Sequence, residues 1–303
     1  MNLEYLENLI STTLRTLPPV LLAGLGGMLS ARVKVTNMGL EGMMLIGAFV
    51  AVITTYFTGM PYLGLLAAML SGAILGGIFA FLKIRFQADN VVVSVAINML
   101  ATGITVYLMK VIFNVRGSVS LPGKEGLPSF DIPVLSEIPI LRAFSGQSIL
   151  VYVALILVAV FQFVMYHTPY GLRLRAAGPH PMAVTTAGLS VNVYRVSALV
   201  LSGILGAMGG AHLSMGQLAM FSDNMTNGRG FIALAATTFG QFTPLGTLGG
   251  ATLFSFADAA TLPMQTSGFP SSLIQIIPYA ITLLTLFLMA LQKKRKRQAM
   301  LGM

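Results

Sequence analysis

The sequence contains no cysteine and no tryptophan, and only 9% of its 303 residues are charged. Without cysteine there can be no disulfide, no thiol nucleophile and no cysteine-ligated metal. Without tryptophan, an aromatic belt at a membrane surface must consist of tyrosine and phenylalanine. Soluble proteins average about 25% charged residues, whereas here 55% of the residues are hydrophobic and the mean hydropathy is +0.83. The composition therefore predicts an all-α, polytopic transmembrane helical bundle.

Residues with catalytic chemistry are equally scarce. The three histidines, His167, His180 and His212, are far apart and accompany no cluster of acidic residues, so we expect no metal site. The segment Gly117–Glu125 has glycines and a lysine like a phosphate-binding loop, but its spacing is wrong and no Ser or Thr follows Lys124. We therefore expect no enzyme activity and no cofactor bound by this chain. If ATP drives its function, another subunit uses the ATP.

The net charge of +9 is concentrated near one end of the chain. Five of the positive charges form the run Lys293–Arg297, directly after the last apolar segment, which predicts a cytoplasmic anchor at anionic headgroups. At the other end, Glu4 and Glu7 precede any basic residue, so no cleaved signal peptide is expected.

Apolar runs long enough to cross the ~30 Å hydrocarbon core recur along the whole chain, which we predict to be a single transmembrane domain, 1–303. We predict nine crossings, with eight or ten as alternatives, an outer N-terminus and a cytoplasmic C-terminus, because every basic cluster then lies on one side. The predicted spans are 17–31, 39–56, 62–82, 91–113, 148–166, 193–215, 231–239, 245–262 and 271–291. Between and around them lie an amphipathic N-terminal segment (1–16), an outer loop (114–147), a cytoplasmic loop (167–195) and a basic cytoplasmic tail (292–303).

Glycine pairs spaced four residues apart occur inside three of these apolar runs. They are Gly72/Gly76, Gly206/Gly210 and Gly246/Gly250. Small residues at this spacing let helix backbones approach closely, so we expect these glycines to shape the bundle rather than to contact a ligand.

The cytoplasmic loop contains a predicted short helix over Pro181–Ala187. Proline is favoured in a first helical turn, and Gly188 is suited to the left-handed conformation that ends a helix. A short helix held at the membrane surface by two spans offers a contact for a soluble partner. The alternative is an ordinary loop that only satisfies its own backbone.

Three sequence blocks, in order, resemble a known transporter family. They are VTNMGLEGMMLIGA at 35–48, GLRLRAAGPHP at 171–181 and NGRGFIALAATTFGQFTP at 227–244. Together they resemble ABC-importer permeases of the branched-chain amino acid, ribose and nucleoside class, closest to the nucleoside and simple-sugar branch.

The resemblance implies that the short helix is a coupling helix, which docks on a separate cytoplasmic ABC ATPase subunit. It also implies an extracytoplasmic binding protein, a second permease chain different from this one, and a location in the bacterial cytoplasmic membrane. The family usually has an acidic residue at or before the coupling helix, and this chain has none there. The residues expected to take part in ATPase coupling are Arg173, Arg175, Gly178, His180, Pro181, Ala183, Thr186 and Gly188.

Polar residues inside spans are costly and are therefore candidates for function. Glu41 could line the pathway or gate it, or it could satisfy free N–H groups at a helix N-terminus. Ser94, Asn98 and Thr102 share one helix face and could line a pathway or bond to a neighbouring helix. Asp258 needs a partner that the sequence does not identify. The candidate pathway residues are thus Asn37, Glu41, Ser94, Asn98, Thr102 and Asp258.

A polar cluster precedes the FIALA segment and is predicted to lie on the outer face. It could receive solute from a binding protein or cap the helical hairpin that follows. Its members are Asp223, Asn224, Asn227 and Arg229.

The sequence therefore predicts the membrane subunit of an ATP-driven importer of nucleosides or related simple sugars. A secondary transporter driven by an ion gradient is the alternative, in which Glu41 and Asp258 are the only acidic residues that could serve. A membrane enzyme is a third class, but no catalytic residues support it.

Overall fold

The computed structural model describes residues 3–121, 126–130 and 139–265. These residues form a bundle of ten α-helices with a few short strands at one end. The helices are α1 Leu3–Arg32, α2 Leu40–Thr58, α3 Pro61–Arg85, α4 Asn90–Phe113, α5 Ile149–His167, α6 Pro169–Ala177, α7 Pro181–Thr186, α8 Val191–Ala211, α9 Arg229–Phe239 and α10 Pro244–Gln265. A 3-10 helix covers Pro139–Phe144, and a π-helix, His212–Leu218, continues α8.

Six helices in the described ranges are long and apolar enough to cross a membrane, and they coincide with the first six predicted spans. Helix α9 has only 11 residues, whereas α10 has 22. The two form a hairpin, as the sequence predicted for 231–262. The predicted ninth span and the basic tail lie outside the described residues, so the total of nine remains a prediction.

The segment before the first predicted span is continuous with that span, because no break separates residues 3–16 from 17–31. Helix α1 is one helix of 30 residues with Pro18 and Pro19 inside it. Pro19 has no N–H to donate to the carbonyl of Arg15, four residues earlier. That carbonyl is bonded instead by Nε2 of His212 at 3.1 Å and by the side-chain amide of Gln217. The π-helix thus satisfies the carbonyl that Pro19 leaves free, which is how transmembrane helices tolerate proline.

The membrane-length helices divide into an inner and an outer set. Helices α1, α2 and α8 are 83%, 61% and 72% buried over their most apolar windows, against 33%, 28% and 28% for α3, α4 and α5. The outer set exposes large apolar side chains, among them Leu70, Met99 and Ile156. Apolar surface of this extent is stable only against lipid or another apolar chain.

Glycine allows the central helix α8 to contact α2 and α3 at backbone distance. Gly72 of α3 faces Gly203 of α8, and a Cβ on either would collide with the carbonyl of the other. Gly76 lies against the Leu199 carbonyl and Gly210 against that of Met44. The remaining members of the predicted pairs also pack inside the bundle: Gly206 against Leu40, Gly246 against Gly240, and Gly250 against Ala236. The structural interpretation of the GxxxG pairs is confirmed.

Two small antiparallel sheets connect the long polar loop to the rest of the chain. Strand β1, Ser118–Ser120, pairs with β4, Met220–Ser222, and β2, Ser129–Phe130, pairs with β3, Gln147–Ser148. The opposite end of the bundle carries a group of basic residues, among them Arg32, whose guanidinium bonds the Phe242 carbonyl at 2.7 Å. Lys83 and Arg195 line a common cavity there. This arrangement agrees with the positive-inside orientation predicted from the sequence.

Candidate functional site

The predicted cytoplasmic loop contains two short helices, α6 and α7, of which the sequence predicted only the second. Helix α6 begins at Pro169, after Thr168, whose hydroxyl accepts the N–H of Gly171 at 3.2 Å. Its Tyr170 hydroxyl lies 2.7 Å from that of Ser197 on α8. Helix α6 is therefore fixed to the central helix of the bundle.

Helix α7 ends in a Schellman motif made by its own residues. The N–H of Gly188 donates to the carbonyl of Thr185 at 2.9 Å, and that of Leu189 donates to Val184 at 3.1 Å. Gly188 has φ +75°, the left-handed conformation predicted for it. Because every partner lies within five residues, this helix end is specified locally.

One side of α7 faces the bundle and the rest faces outward. Val184 is the buried residue of this helix, at 4% exposure, and Leu189 packs against the same core. Met182 is 82% exposed. The other outward residues are Ala183, Thr185, Thr186, Ala187 and Gly188. The helix thus presents a small projecting surface of mixed polarity.

The other predicted coupling residues precede α7 or begin it, and they differ in burial. Gly178 is buried so closely against the backbone of Arg32 that a Cβ would collide with its carbonyl. The Arg175 guanidinium lies 4.7 Å from the ring centre of Tyr166. Arg173 and His180 are exposed, Pro181 is half-buried, and the His180 N–H donates to the Ala176 carbonyl at 2.9 Å.

Asn37 is fully buried just before α2 and bonds on three sides. Its Oδ1 accepts the N–H of Gly39 at 3.0 Å, and its Nδ2 donates to the Ser202 hydroxyl of α8 at 3.0 Å. Its own N–H donates to the Ser30 hydroxyl. In this conformation Asn37 joins α1, α2 and α8.

Ser94 and Asn98 also bond to the start of α2. The Ser94 hydroxyl accepts the Met38 N–H, and Asn98 accepts the Gly42 N–H at 2.8 Å while donating to the Met38 carbonyl. The exposed Thr102 bonds only to the Asn98 carbonyl of its own helix. Ser94 and Asn98 were predicted either to line a pathway or to bond to a neighbouring helix. In this conformation they bond to a neighbouring helix.

Glu41 bonds to a helix N-terminus, but to that of a different helix from its own. Its Oε1 accepts the N–H of Gly228 and its Oε2 that of Gly230, both at 2.7 Å. These N–H groups belong to the start of α9, where the helix itself provides no acceptor. The sequence placed Glu41 at the cytoplasmic start of a span and residues 216–230 outside, and the structure brings the two together. The 216–230 connection therefore enters the bundle. Gly42, next to Glu41, bonds Asn98, which lies about 12 Å from the start of α4 at a rise of about 1.5 Å per residue.

The predicted outer cluster accordingly separates into two parts. Asp223 accepts the N–H of Gly117 at 3.2 Å, beside the β1–β4 pair, whereas Asn227 and Arg229 flank Gly228 deeper in the bundle. Asn224 and Asn227 are exposed and both have positive φ, as turn residues. The Arg229 guanidinium is close enough for its charge to act on Asp258, although no ion pair forms with Asp258 among the described residues.

Comparison with known proteins agrees with the resemblance of the three blocks. A family model described as the permease component of the branched-chain amino acid transport system matches residues 9–286. The chain belongs to this permease family. Membership implies a multi-pass protein of the inner membrane whose partners are ATPase subunits and a substrate-binding protein.

Several relatives of this permease are named for nucleoside or guanosine transport. It is 38% identical over 296 residues to the guanosine ABC transporter permease protein NupQ of Bacillus subtilis, covering 93% of this chain and 92% of the relative. It is 33% identical to the nucleoside ABC transporter permease protein NupC of Lactococcus lactis, with the same coverage. A second guanosine permease of B. subtilis, NupP, is 28% identical, covering 88% of this chain and 78% of the relative.

Sequence reasoning missed the partners of the polar residues in this permease. Gly228 and Gly230 were regarded only as part of a family signature, and Ser202 was not singled out. One signal was available, because a Gly-x-Gly pair before a helix places two accessible N–H groups side by side. The acceptor, 187 and 189 residues away, had no local signal.

Proposed function

We propose that this permease forms part of the translocation pathway of an ATP-driven importer of nucleosides. The observation that carries the proposal is α7, which projects from the basic end of the bundle with only Val184 buried. Such a helix can fit a cleft of an ATPase subunit, which is the role that the family resemblance implies for it. Relatives named for guanosine and nucleoside transport favour nucleosides over simple sugars.

A movement of α7 can be transmitted to the bundle through two close contacts. Gly178 lies against the backbone of Arg32 at the end of α1, and Tyr170 bonds Ser197 of α8. A displacement of α6 and α7 by closing ATPase subunits therefore acts directly on two inner helices. Alternating access would follow as the inner helices change their packing.

The partner set includes a second, different permease chain. NupP and NupQ come from one organism and are both named as guanosine permeases, and this chain resembles both. Two different chains would enclose the pathway between them, and the poorly covered outer helices supply apolar surface for such a contact. ATP is bound and hydrolysed by the ATPase subunits, with no cofactor on this chain, and the C-terminus is cytoplasmic.

The remaining proposed site roles follow from where the residues lie. Arg173, Thr186 and Ala183 are outward-facing at the basic end and would contact the ATPase. Thr102, exposed on α4, and the Asn227–Arg229 segment with nearby Asp258 would face the solute. Glu41 is occupied by two backbone N–H groups, which makes it a poor ion-coupling carboxylate and weakens the case for a gradient-driven carrier.

The test is nucleoside uptake by proteoliposomes that contain the complete importer, with radiolabelled guanosine and purified binding protein. Ala183→Asp and Gly188→Asp place a charge on the exposed surface of α7 and should abolish uptake while the complex retains its fold. Ser190→Asp is the matched control: it adds the same charge two residues past Gly188, at the N-terminus of α8, where a carboxylate is favourable.

Uptake should require ATP and binding protein, and the control should retain most of it. Full uptake by both α7 variants would refute the coupling role. Uptake driven by an ion gradient without ATP would refute the importer assignment itself. Transport of glucose but not of guanosine would show that the substrate is a simple sugar and not a nucleoside.

A further inference from the structure

Glu41 links two parts of the chain that are far apart in sequence. It is the second residue of α2, and each of its carboxylate oxygens accepts one N–H at the start of α9. A carboxylate that accepts two backbone bonds of 2.7 Å is fully engaged in a charge-assisted contact. Because the acceptor is on another helix, the contact fixes the position of α9 as well as satisfying its end.

Both glycines are required for this contact by geometry. Gly228 has φ +83°, which costs any other residue strain. A Cβ on Gly230 would lie 2.5 Å from the Glu41 nitrogen and 2.7 Å from its Cα. The Gly-Arg-Gly sequence therefore lets the backbone of α9 contact Glu41 directly. The Arg229 side chain points away from Glu41 and bonds the carbonyls of Met225 and Thr226.

The turn before α9 directly adjoins this contact and is closed by its own backbone bonds. The N–H of Arg229 donates to the Thr226 carbonyl at 2.9 Å, and that of Asn227 donates to Asn224 at 3.0 Å. Thr226 is fully buried, whereas its neighbour Asn227 is exposed. Loss of the bonds to Glu41 would free the turn at one end and expose Thr226.

We infer that Glu41 is a positioning residue, whose carboxylate holds the start of α9 against α2 and so fixes Asn227 and Arg229 toward the solute pathway. The role in transport rests on the proposed function, but the structural role does not. Glu41→Gln should break the contact, because an amide offers one acceptor and sets its NH₂ group against the other N–H. Glu41→Asp keeps the charge, but its shorter side chain cannot reach both donors.

The experiment uses Thr226→Cys as a reporter in the complete importer, because the native chain has no cysteine to remove. Labelling by N-ethylmaleimide should be slow in the Thr226→Cys protein and about tenfold faster when Glu41→Gln is added, the factor expected for one lost hydrogen bond to a charged group. Glu41→Asp should lie between them. Guanosine uptake should fall in the order wild type, Glu41→Asp, Glu41→Gln.

Two controls distinguish release of this contact from general loosening. Asp89→Asn removes another carboxylate from a helix N-terminus, where Asp89 accepts the N–H groups of Val91 and Val92 in its own helix. It should leave the labelling of Thr226→Cys unchanged. Thr105→Cys, at a fully buried position of α4, should stay unlabelled in every Glu41 background.

Unchanged labelling in Glu41→Gln, or an equal increase in Asp89→Asn, would overturn the inference. So would failure of both Glu41 variants to assemble while Asp89→Asn assembles, since Glu41 would then serve the fold as a whole. If the wild-type importer does not transport guanosine, the proposed function fails, yet the labelling result still decides the position of α9.

Discussion

The bundle contains two short helices whose ends are satisfied in opposite ways. Helix α7 closes its C-terminus with residues inside one stretch, through Gly188 and Leu189. The free N–H groups at the start of α9 are accepted by Glu41, which lies in a distant part of the chain. Helix α7 lies at the basic end, where water can serve any remaining backbone group, whereas the start of α9 lies inside the bundle, where another residue must do so.

This difference indicates where a substitution should be tolerated. A locally closed helix can move as a unit against its neighbours, which suits a surface that follows a moving partner. A helix whose end is held by a distant carboxylate moves only with the helix that carries it. We expect substitutions at α9 to affect the fold more than those at α7.

The largest effect should come from Gly230→Ala. The added methyl group meets the Glu41 backbone, which cannot yield without shifting α2, so we expect destabilisation of about 3 kcal/mol. The measurement is the apparent melting temperature of the importer in detergent. Gly103→Ala is the matched control, because a Cβ there meets nothing and the position is helical. A melting temperature equal to the wild type for Gly230→Ala would contradict the contact.

Asn98→Ala should have the next largest effect. It leaves the Gly42 N–H and the Met38 carbonyl without partners at the buried start of α2, at a cost of about 2 kcal/mol. Thr102→Ala, one turn away, removes only a bond within its own helix and should cost much less. Equal melting temperatures for the two variants would show that Asn98 does not hold α2.

Gly188→Ala tests the locally closed helix. The residue has φ +75° with open space around it, so strain alone should cost about 1 kcal/mol. Thermal unfolding should detect a small decrease, with assembly of the importer retained. A loss as large as that of Gly230→Ala would remove the distinction between the two helices.

Met182→Ala should have the smallest effect on stability, within about 0.5 kcal/mol, because an exposed side chain contributes little. Its effect should instead be on ATPase activity stimulated by the binding protein, which we expect to decrease. Unchanged stimulation would place the ATPase contact on other residues of α7.

The features that could be predicted from the sequence are those that depend on adjacent residues. Apolar runs marked six membrane-length helices, glycine pairs marked close packing, and Pro181 and Gly188 marked both ends of α7. Such signals are readable because helix propensity, capping and hydrophobic length act over a few neighbouring positions.

The pairing of the buried polar residues, in contrast, follows from the three-dimensional packing and could not be predicted. His212 bonds the Arg15 carbonyl in the proline-containing part of α1. Asn98, a candidate pathway residue, bonds the start of α2 instead. Glu41 bonds the start of α9. In the interior of the bundle, a backbone group that its own helix does not satisfy must find a partner wherever the packing provides one. That partner is chosen by three-dimensional proximity, which separation along the chain does not reveal.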